Sequence, residues 1–211
     1  MLTAIVDYSS GNLHSARKAF EKISASNNLG SVVVTRNPDV ISSADRLVLP
    51  GDGAFPACKT ELLSSEAYDA MVYAAVEKGR PFLGICVGMQ LMAIKGYEYE
   101  ETHGLGWIDG EVCKIDPIDE NLKIPHMGWN TLNIEREHPI LKGIFNGDHV
   151  YFVHSFQMVV RNLKQRLAYT DYGTDITAVV GNGNLLGFQF HPEKSAKTGL
   201  KMIENFLSWS P

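Results

Sequence analysis

The sequence predicts an α/β fold: a central, mostly parallel sheet with helices on both faces, joined by additional antiparallel strands in the C-terminal half. Three observations carry this. Residues up to about Lys95 alternate strand and helix patterns; the stretch 82–85 is a continuous apolar run of the kind that forms a strand covered on both faces; and after Lys95 the helical patterns give way to Gly, Pro and alternating segments.

Taken in order, Leu2–Val6 reads as a strand, and Gly11-Asn12 opens a helix whose Leu13, Ala16, Phe20 and Ile23 keep helical spacing. A second strand is expected at Ser31–Thr35, a short helix at 37–43, and a third strand at 46–49. Helical patterns cover 54–63 and 67–78, Gly79-Arg80-Pro81 breaks the chain, and 82–85 follows as a strand running into a helix of strong formers from Met89. In the second half 111–115, 129–134, 151–160, 168–172, 177–180 and 185–190 look extended, with Asn182-Gly183 as a hairpin turn between the last two. A closing amphipathic helix at 198–209 aligns Leu200, Ile203, Phe206 and Leu207 on one face. Ligands of such folds bind at the carboxyl ends of the parallel strands.

Composition sets bounds on function. With 211 residues, 45% of them apolar, and no repeat, low-complexity stretch or Pro/Ser-rich linker, the chain is expected to form a single domain over 1–211. A net charge of -5 argues against nucleic acid or an anionic membrane as partner. Met1 to Asp7 is too quickly interrupted to act as a signal peptide, and no apolar run reaches membrane-spanning length. Cys58, Cys86 and Cys113 are odd in number and widely spaced, which indicates neither a disulfide framework nor a zinc site and points to a reducing, cytoplasmic compartment.

The chemistry concentrates in Pro81-Phe82-Leu83-Gly84-Ile85-Cys86-Val87-Gly88-Met89-Gln90, where an apolar strand ends at a cysteine with a glycine two places to either side. This is the pattern of a nucleophile elbow with sulfur as attacking atom: the glycines admit a crowded turn, and a cysteine at a helix N-terminus is favoured as thiolate. By itself the decapeptide fits a buried structural cysteine between packing glycines equally well. A thiol nucleophile also needs a base and an orienting group. Phe188-Gln189-Phe190-His191-Pro192-Glu193 offers both, since residues i and i+2 at a strand end face one side and Pro192 stiffens the link. The order Cys, His, then acid differs from that of α/β-hydrolases, in which the acid precedes the histidine.

These two motifs resemble those of the class I (triad) glutamine amidotransferases, and the resemblance extends to the glutaminase subunits of imidazole glycerol phosphate synthases. It runs through Asp7-Tyr8 with Gly11-Asn12-Leu13, Leu49-Pro50-Gly51-Asp52-Gly53-Ala54-Phe55, Gly104-Leu105-Gly106-Trp107, Pro125-His126-Met127-Gly128-Trp129-Asn130, Tyr151-Phe152-Val153-His154-Ser155-Phe156 and Gly187 to Ser195. It implies a flavodoxin-like architecture, and a catalytic triad of Cys86, His191 and Glu193. An oxyanion hole is implied from the amides of Val87 and of Asp52 or Gly53. Glutamine is expected against Gly53 and Gln90, with His154, Ser155 and Phe156 at its amino-acid end.

The resemblance further implies a heterodimer with a (β/α)8 cyclase subunit that receives ammonia through an internal passage, with Asn12, Tyr151 and Lys194 as candidates for the shared face. No metal and no cofactor are expected. Two positions depart from the family pattern: Ser9 stands where a glycine is common, with Gly11 available to make the turn, and Asp52 stands where an apolar residue is common. Three alternatives stay open. The chain could serve another ammonia-channelling synthase, such as a surface-sugar amidinating enzyme; it could be a cysteine α/β-hydrolase using Asp171 or Asp175; or it could be a non-catalytic module that binds a partner.

Overall fold

In the computed structural model, residues 1–9, 12–119 and 121–211 are described. Gly11, expected to make the turn before the first helix, lies outside them. The elements of the first half are β1 (Leu2–Val6), α1 (Leu13–Asn27), β2 (Ser31–Thr35), α2 (Pro38–Ser43), β3 (Arg46–Gly51), α3 (Phe55–Ser64), α4 (Ala67–Val72), β4 (Phe82–Cys86) and the single turn α5 (Val87–Gln90). The second half contains β5 (Lys95–Gly96), β6 (Thr102–His103), β7 (Gly110–Lys114), β8 (His126–Thr131), β9 (Asn133–Ile134), β10 (His149–His154), β11 (Phe156–Val160), β12 (Arg166–Asp171), β13 (Asp175–Asn182), β14 (Leu185–Phe188) and α6 (Ala196–Ser208).

Eight strands form the main sheet in the order β2-β1-β3-β4-β14-β13-β12-β9. The first five are parallel and the last three join antiparallel. Every residue of β3, β4 and β14 is buried, as strands covered on both faces must be. Right-handed crossovers place α1 on one face, because the chain steps outward from β1 to β2, and α2 to α4 on the other, because it then steps back to β3 and β4. The packing of α1 against α6 and of α2 against α4 agrees with this. Two smaller sheets, β8 with β10 and β11-β7-β5-β6, stand beside the carboxyl edge.

Three local expectations are corrected, and one departure from the family pattern acquires a geometry. The helix after Cys86 is one turn long, because the carbonyls of Leu91, Met92 and Ala93 accept from the amides of Leu105, Trp107, Ile108 and Gly106, so a tertiary pairing replaces the continuing helix. The stretch 151–160 is two strands, broken at Ser155, that enter different sheets. The last hairpin turns at Gly183 and Asn184, one residue later than read, since Asn182 pairs with Leu185. Ser9 itself takes φ +72°, a conformation suited to glycine, with its amide bonded to Asp7 Oδ1 at 3.1 Å.

Candidate active site

Strands β3 and β4 bring Gly51 level with Cys86, and β14 brings Phe188 level with Ile85, so the segments after all three strands meet at one edge. A pocket of about 390 Å³ opens there, lined by Asp52, Gly53, Cys86, Val87, Gln90 and His191, and completed by Glu98, Pro125, Lys194 and the 153–156 stretch. Cys86 lies at φ 55°, ψ -114°, outside the ordinary wells for a non-glycine residue, and such backbone costs on the order of 1–3 kcal/mol that the surrounding packing must offset. Close packing does so: a Cβ on Gly88 would overlap the Leu49 carbonyl, and one on Gly84 would stand 2.5 Å from the Gly88 carbonyl oxygen. Val87 opens α5, so its amide belongs to the first turn and has no intrahelical acceptor.

His191 and Glu193 meet as expected, though by a different local geometry. Strand β14 ends at Phe188, and a 3-10 turn over Pro192–Lys194 curls the carboxylate back onto the ring. His191 Nδ1 lies 2.8 Å from Glu193 Oε1, with both side chains almost wholly buried. The imidazole also hydrogen-bonds Cys86. Burial is the strongest single influence and pushes His191 down, but hydrogen bonds to Cys86 and Glu193, together with their charges, outweigh it and raise its pKa to about 9. Asp171 accepts from the Gly173 amide, and Asp175 lies 3.5 Å from Arg166 on the β12–β13 hairpin. Neither lines the pocket, and the acid bonded to His191 is Glu193.

The other predicted residues are distributed as follows. Gly53 has φ +112°, and the Asp52 carbonyl accepts the Cys58 thiol at 3.4 Å, which turns the Gly53 amide to the opposite side. Gln90 is buried on the pocket wall, its Nε2 bonded to the Phe156 carbonyl at 2.9 Å and to Gln189 Oε1 at 3.0 Å. His154 lines the pocket, yet both its ring nitrogens are engaged within the protein, with His126 and with the Phe156 carbonyl. Ser155 and Phe156 line the pocket at the strand break. Asn12 caps α1 by accepting from the Ser15 amide and borders a small cavity beside Gly51, His191 and Glu193. Tyr151 exchanges backbone bonds with the His191 segment: its carbonyl accepts from the His191 amide, and its amide donates to Ser195 Oγ, which in turn donates to the His191 carbonyl.

Two residues that sequence reasoning passed over join the site. Gln189, fully buried, places Nε2 3.9 Å from Cys86 Sγ, and Glu98 accepts from the Phe55 amide while lining the pocket. Gln189 stands inside the quoted His-Pro-Glu motif, so its position was a usable signal; Glu98 lies in a segment without pattern. Among the described residues no two cysteines form a disulfide, no cluster of side chains suits a metal ion, and no helix is long and apolar enough to cross a membrane.

Residues 4–209 match the model of the glutamine amidotransferase class-I family. The chain is 62% identical, over the full length of both proteins, to the imidazole glycerol phosphate synthase subunit HisH of Ruegeria pomeroyi. It is likewise 56% identical to that of Cereibacter sphaeroides and 54% to that of Rhodopseudomonas palustris, each over 100% of both chains. Among solved structures, one glutamine amidotransferase superposes with TM-score 0.68 at 20% identity, covering 96% of this chain and 98% of its own. Another, from Thermotoga maritima, gives 0.62 at 17%, covering 97% and 81%. The fold similarity and the full-length identity agree, and the chain belongs to the class-I glutamine amidotransferase family, among the HisH subunits of imidazole glycerol phosphate synthase.

Proposed function

We propose that this chain, acting as one domain over 1–211, is the glutaminase subunit of a cytoplasmic imidazole glycerol phosphate synthase. It hydrolyses glutamine to glutamate and ammonia and passes the ammonia to a (β/α)8 cyclase partner in histidine biosynthesis. The observation that carries the reading is the chain of contacts Cys86–His191–Glu193, with the histidine's pKa raised to about 9, so that at neutral pH a proton is held on the imidazole beside the sulfur.

Cys86 as thiolate attacks the side-chain carboxamide carbon of glutamine, and the carbonyl electrons move onto oxygen. The amide of Val87 meets that oxyanion, with a second donor from the Asp52–Gly53 segment, each such donor contributing roughly 3–4 kcal/mol to barrier lowering. His191 gives its proton to the nitrogen, the C–N bond breaks, and ammonia leaves behind a thioester. Water then attacks, losing a proton to His191, and glutamate departs as the C–S bond breaks. Glu193 holds the ring with Nδ1–H toward itself, and the Gln189 carboxamide donates to the sulfur.

Ammonia released into water near neutrality becomes ammonium, which is no nucleophile, so the pocket is expected to open onto the partner. Met127 and Trp129 support this: both are exposed on the outer face of β8, with Trp129 packed edge-on to Tyr151 at 5.9 Å between ring centres. The test is Cys86→Ala. The variant is expected to lose glutamine hydrolysis while retaining partner binding and synthase turnover on added ammonia. Glutaminase turnover by that variant at more than a trace of wild type would overturn the reading.

A further inference from the structure

A run of hydrogen bonds leads inward from β8 to the substrate pocket, and its directions can be worked out from both ends. At one end, Asn130 Oδ1 accepts from the Thr131 amide and Nδ2 donates to the Asp171 carbonyl, both at 2.8 Å. The same Nδ2 lies 3.2 Å from His126 Nε2, which therefore accepts, leaving the proton of a neutral ring on Nδ1. His126 Nδ1 is 2.9 Å from His154 Nε2. At the other end, His154 Nδ1 is 2.8 Å from the Phe156 carbonyl, which can only accept, so His154 also carries its proton on Nδ1 and offers Nε2 as acceptor. The two assignments agree at the bond they share. The second lone pair of the Phe156 carbonyl takes Gln90 Nε2, whose other hydrogen goes to Gln189 Oε1. Gln90 thus has its nitrogen turned inward, and its Oε1 is the atom left for the pocket it lines.

Both rings are held neutral. Burial pushes His126 down to about 4, and burial, opposed by the bond to Phe156 and aided by the neighbouring histidines, pushes His154 to about 3. His126 is also clamped between the rings of Phe152 and Tyr172, at 4.7 and 4.0 Å.

We propose that Asn130, His126 and His154 are positioning residues that, through the Phe156 carbonyl, hold the Gln90 carboxamide with Oε1 toward the pocket, where it reads the α-ammonium group of the substrate. The inference rests on the glutaminase reading. If Cys86 attacks the side-chain carboxamide, that nitrogen must face His191 to receive its proton. The α-carbon then lies three bonds beyond, and Gln90, one helical turn from Cys86, is placed for the ammonium there. Glutamine would be favoured over a chain lacking the amino group because that substrate would cover a fixed acceptor on the pocket wall without pairing it.

The experiment compares glutamine with glutaramate, its des-amino analogue, on the complex with the partner subunit. His126→Phe keeps the stack with Phe152 and Tyr172 but removes the donor to His154. The preference for glutamine in kcat/KM is expected to fall about tenfold or more, through the KM of glutamine, with glutaramate turnover little changed. His126→Asn, which returns an N–H near the Nδ1 position, should restore the preference. A fall shared equally by both substrates, or failure of His126→Asn to restore the ratio, would overturn the proposal. Independently of any variant, nitrogen-15 spectra of the wild-type complex should show both rings neutral with the proton on Nδ1, and an Nε2-H tautomer at either ring would overturn it. A wild-type complex inactive on glutamine would instead overturn the glutaminase reading, and this inference with it.

Discussion

A buried imidazole normally resists protonation, and His191 is the residue at which that tendency is reversed. Its pKa rises to about 9 although burial opposes the charge, because Cys86 and Glu193 both bond to it. Protonated His191 is the form that discharges ammonia, so kcat/KM for glutamine is expected to fall as pH rises through about 9. Glu193→Gln keeps an acceptor for Nδ1–H but removes one of the charges that raise the value. The alkaline limb should therefore move acidward and turnover should drop. A pH profile of the variant complex measures both, and a limb left in place would show that Glu193 does not set the protonation of His191.

At the scale of elements, the segment after β3 is the piece with conformational latitude. Gly53 sits at φ +112°, and the Cys58 thiol holds the Asp52 carbonyl away from the pocket side. Proline at 53 can neither adopt that φ nor supply an amide. Gly53→Pro is expected to lower glutamine turnover by the complex by something like 10² to 10³, the effect of a lost oxyanion donor. Gly53→Ala keeps the donor and has room, its Cβ meeting only Cys58 Sγ at 3.8 Å, but φ +112° strains any L side chain, so its loss should fall between wild type and Gly53→Pro. Asp52→Asn should leave that rate nearly unchanged, since the side chain is exposed and the donor is a backbone amide. Equal rates for Gly53→Pro and wild type, measured as glutamate release by the complex, would reduce this segment to a plain turn. Helix α6 shows another element completed from far away: the carbonyls of Phe206 in its last turn and of the capping Trp209 accept from the buried Arg46 at the start of β3.

For the molecule as a whole, the β8–β10 ribbon has two faces. His126, Phe152 and His154 point into the buried relay, while Met127 and Trp129 are exposed beside Tyr151. A ribbon anchored at the catalytic edge and apolar outward suits a partner that must cover the ammonia exit. Trp129→Glu is expected to weaken partner binding by about 2 kcal/mol or more, a thirtyfold loss typical of an aromatic anchor. The isolated variant should keep the wild-type melting temperature. Titration calorimetry against the partner subunit measures this, and unchanged affinity would place the interface elsewhere.

The elbow, the His-Pro-Glu motif and the parallel half of the sheet were legible because each is written in neighbouring residues: apolar runs for β3 and β4, glycines bracketing Cys86, and a carboxylate two places after its histidine. The relay was not legible, since it joins Asn130, His126 and His154 to Gln90 and Gln189, and the last two stand 99 positions apart. The length of α5 was also hidden, because good helix formers continue past it and the helix stops only where the 105–108 amides arrive to take the carbonyls of 91–93. Ser9 shows the same limit, since nothing in its own residue type calls for the left-handed backbone it takes. Local pattern specifies which residues can do chemistry and which elements carry them. Hydrogen-bond partners drawn from distant segments specify which atom of each side chain faces the substrate, because a buried polar group must find its partner wherever the packed chain supplies one.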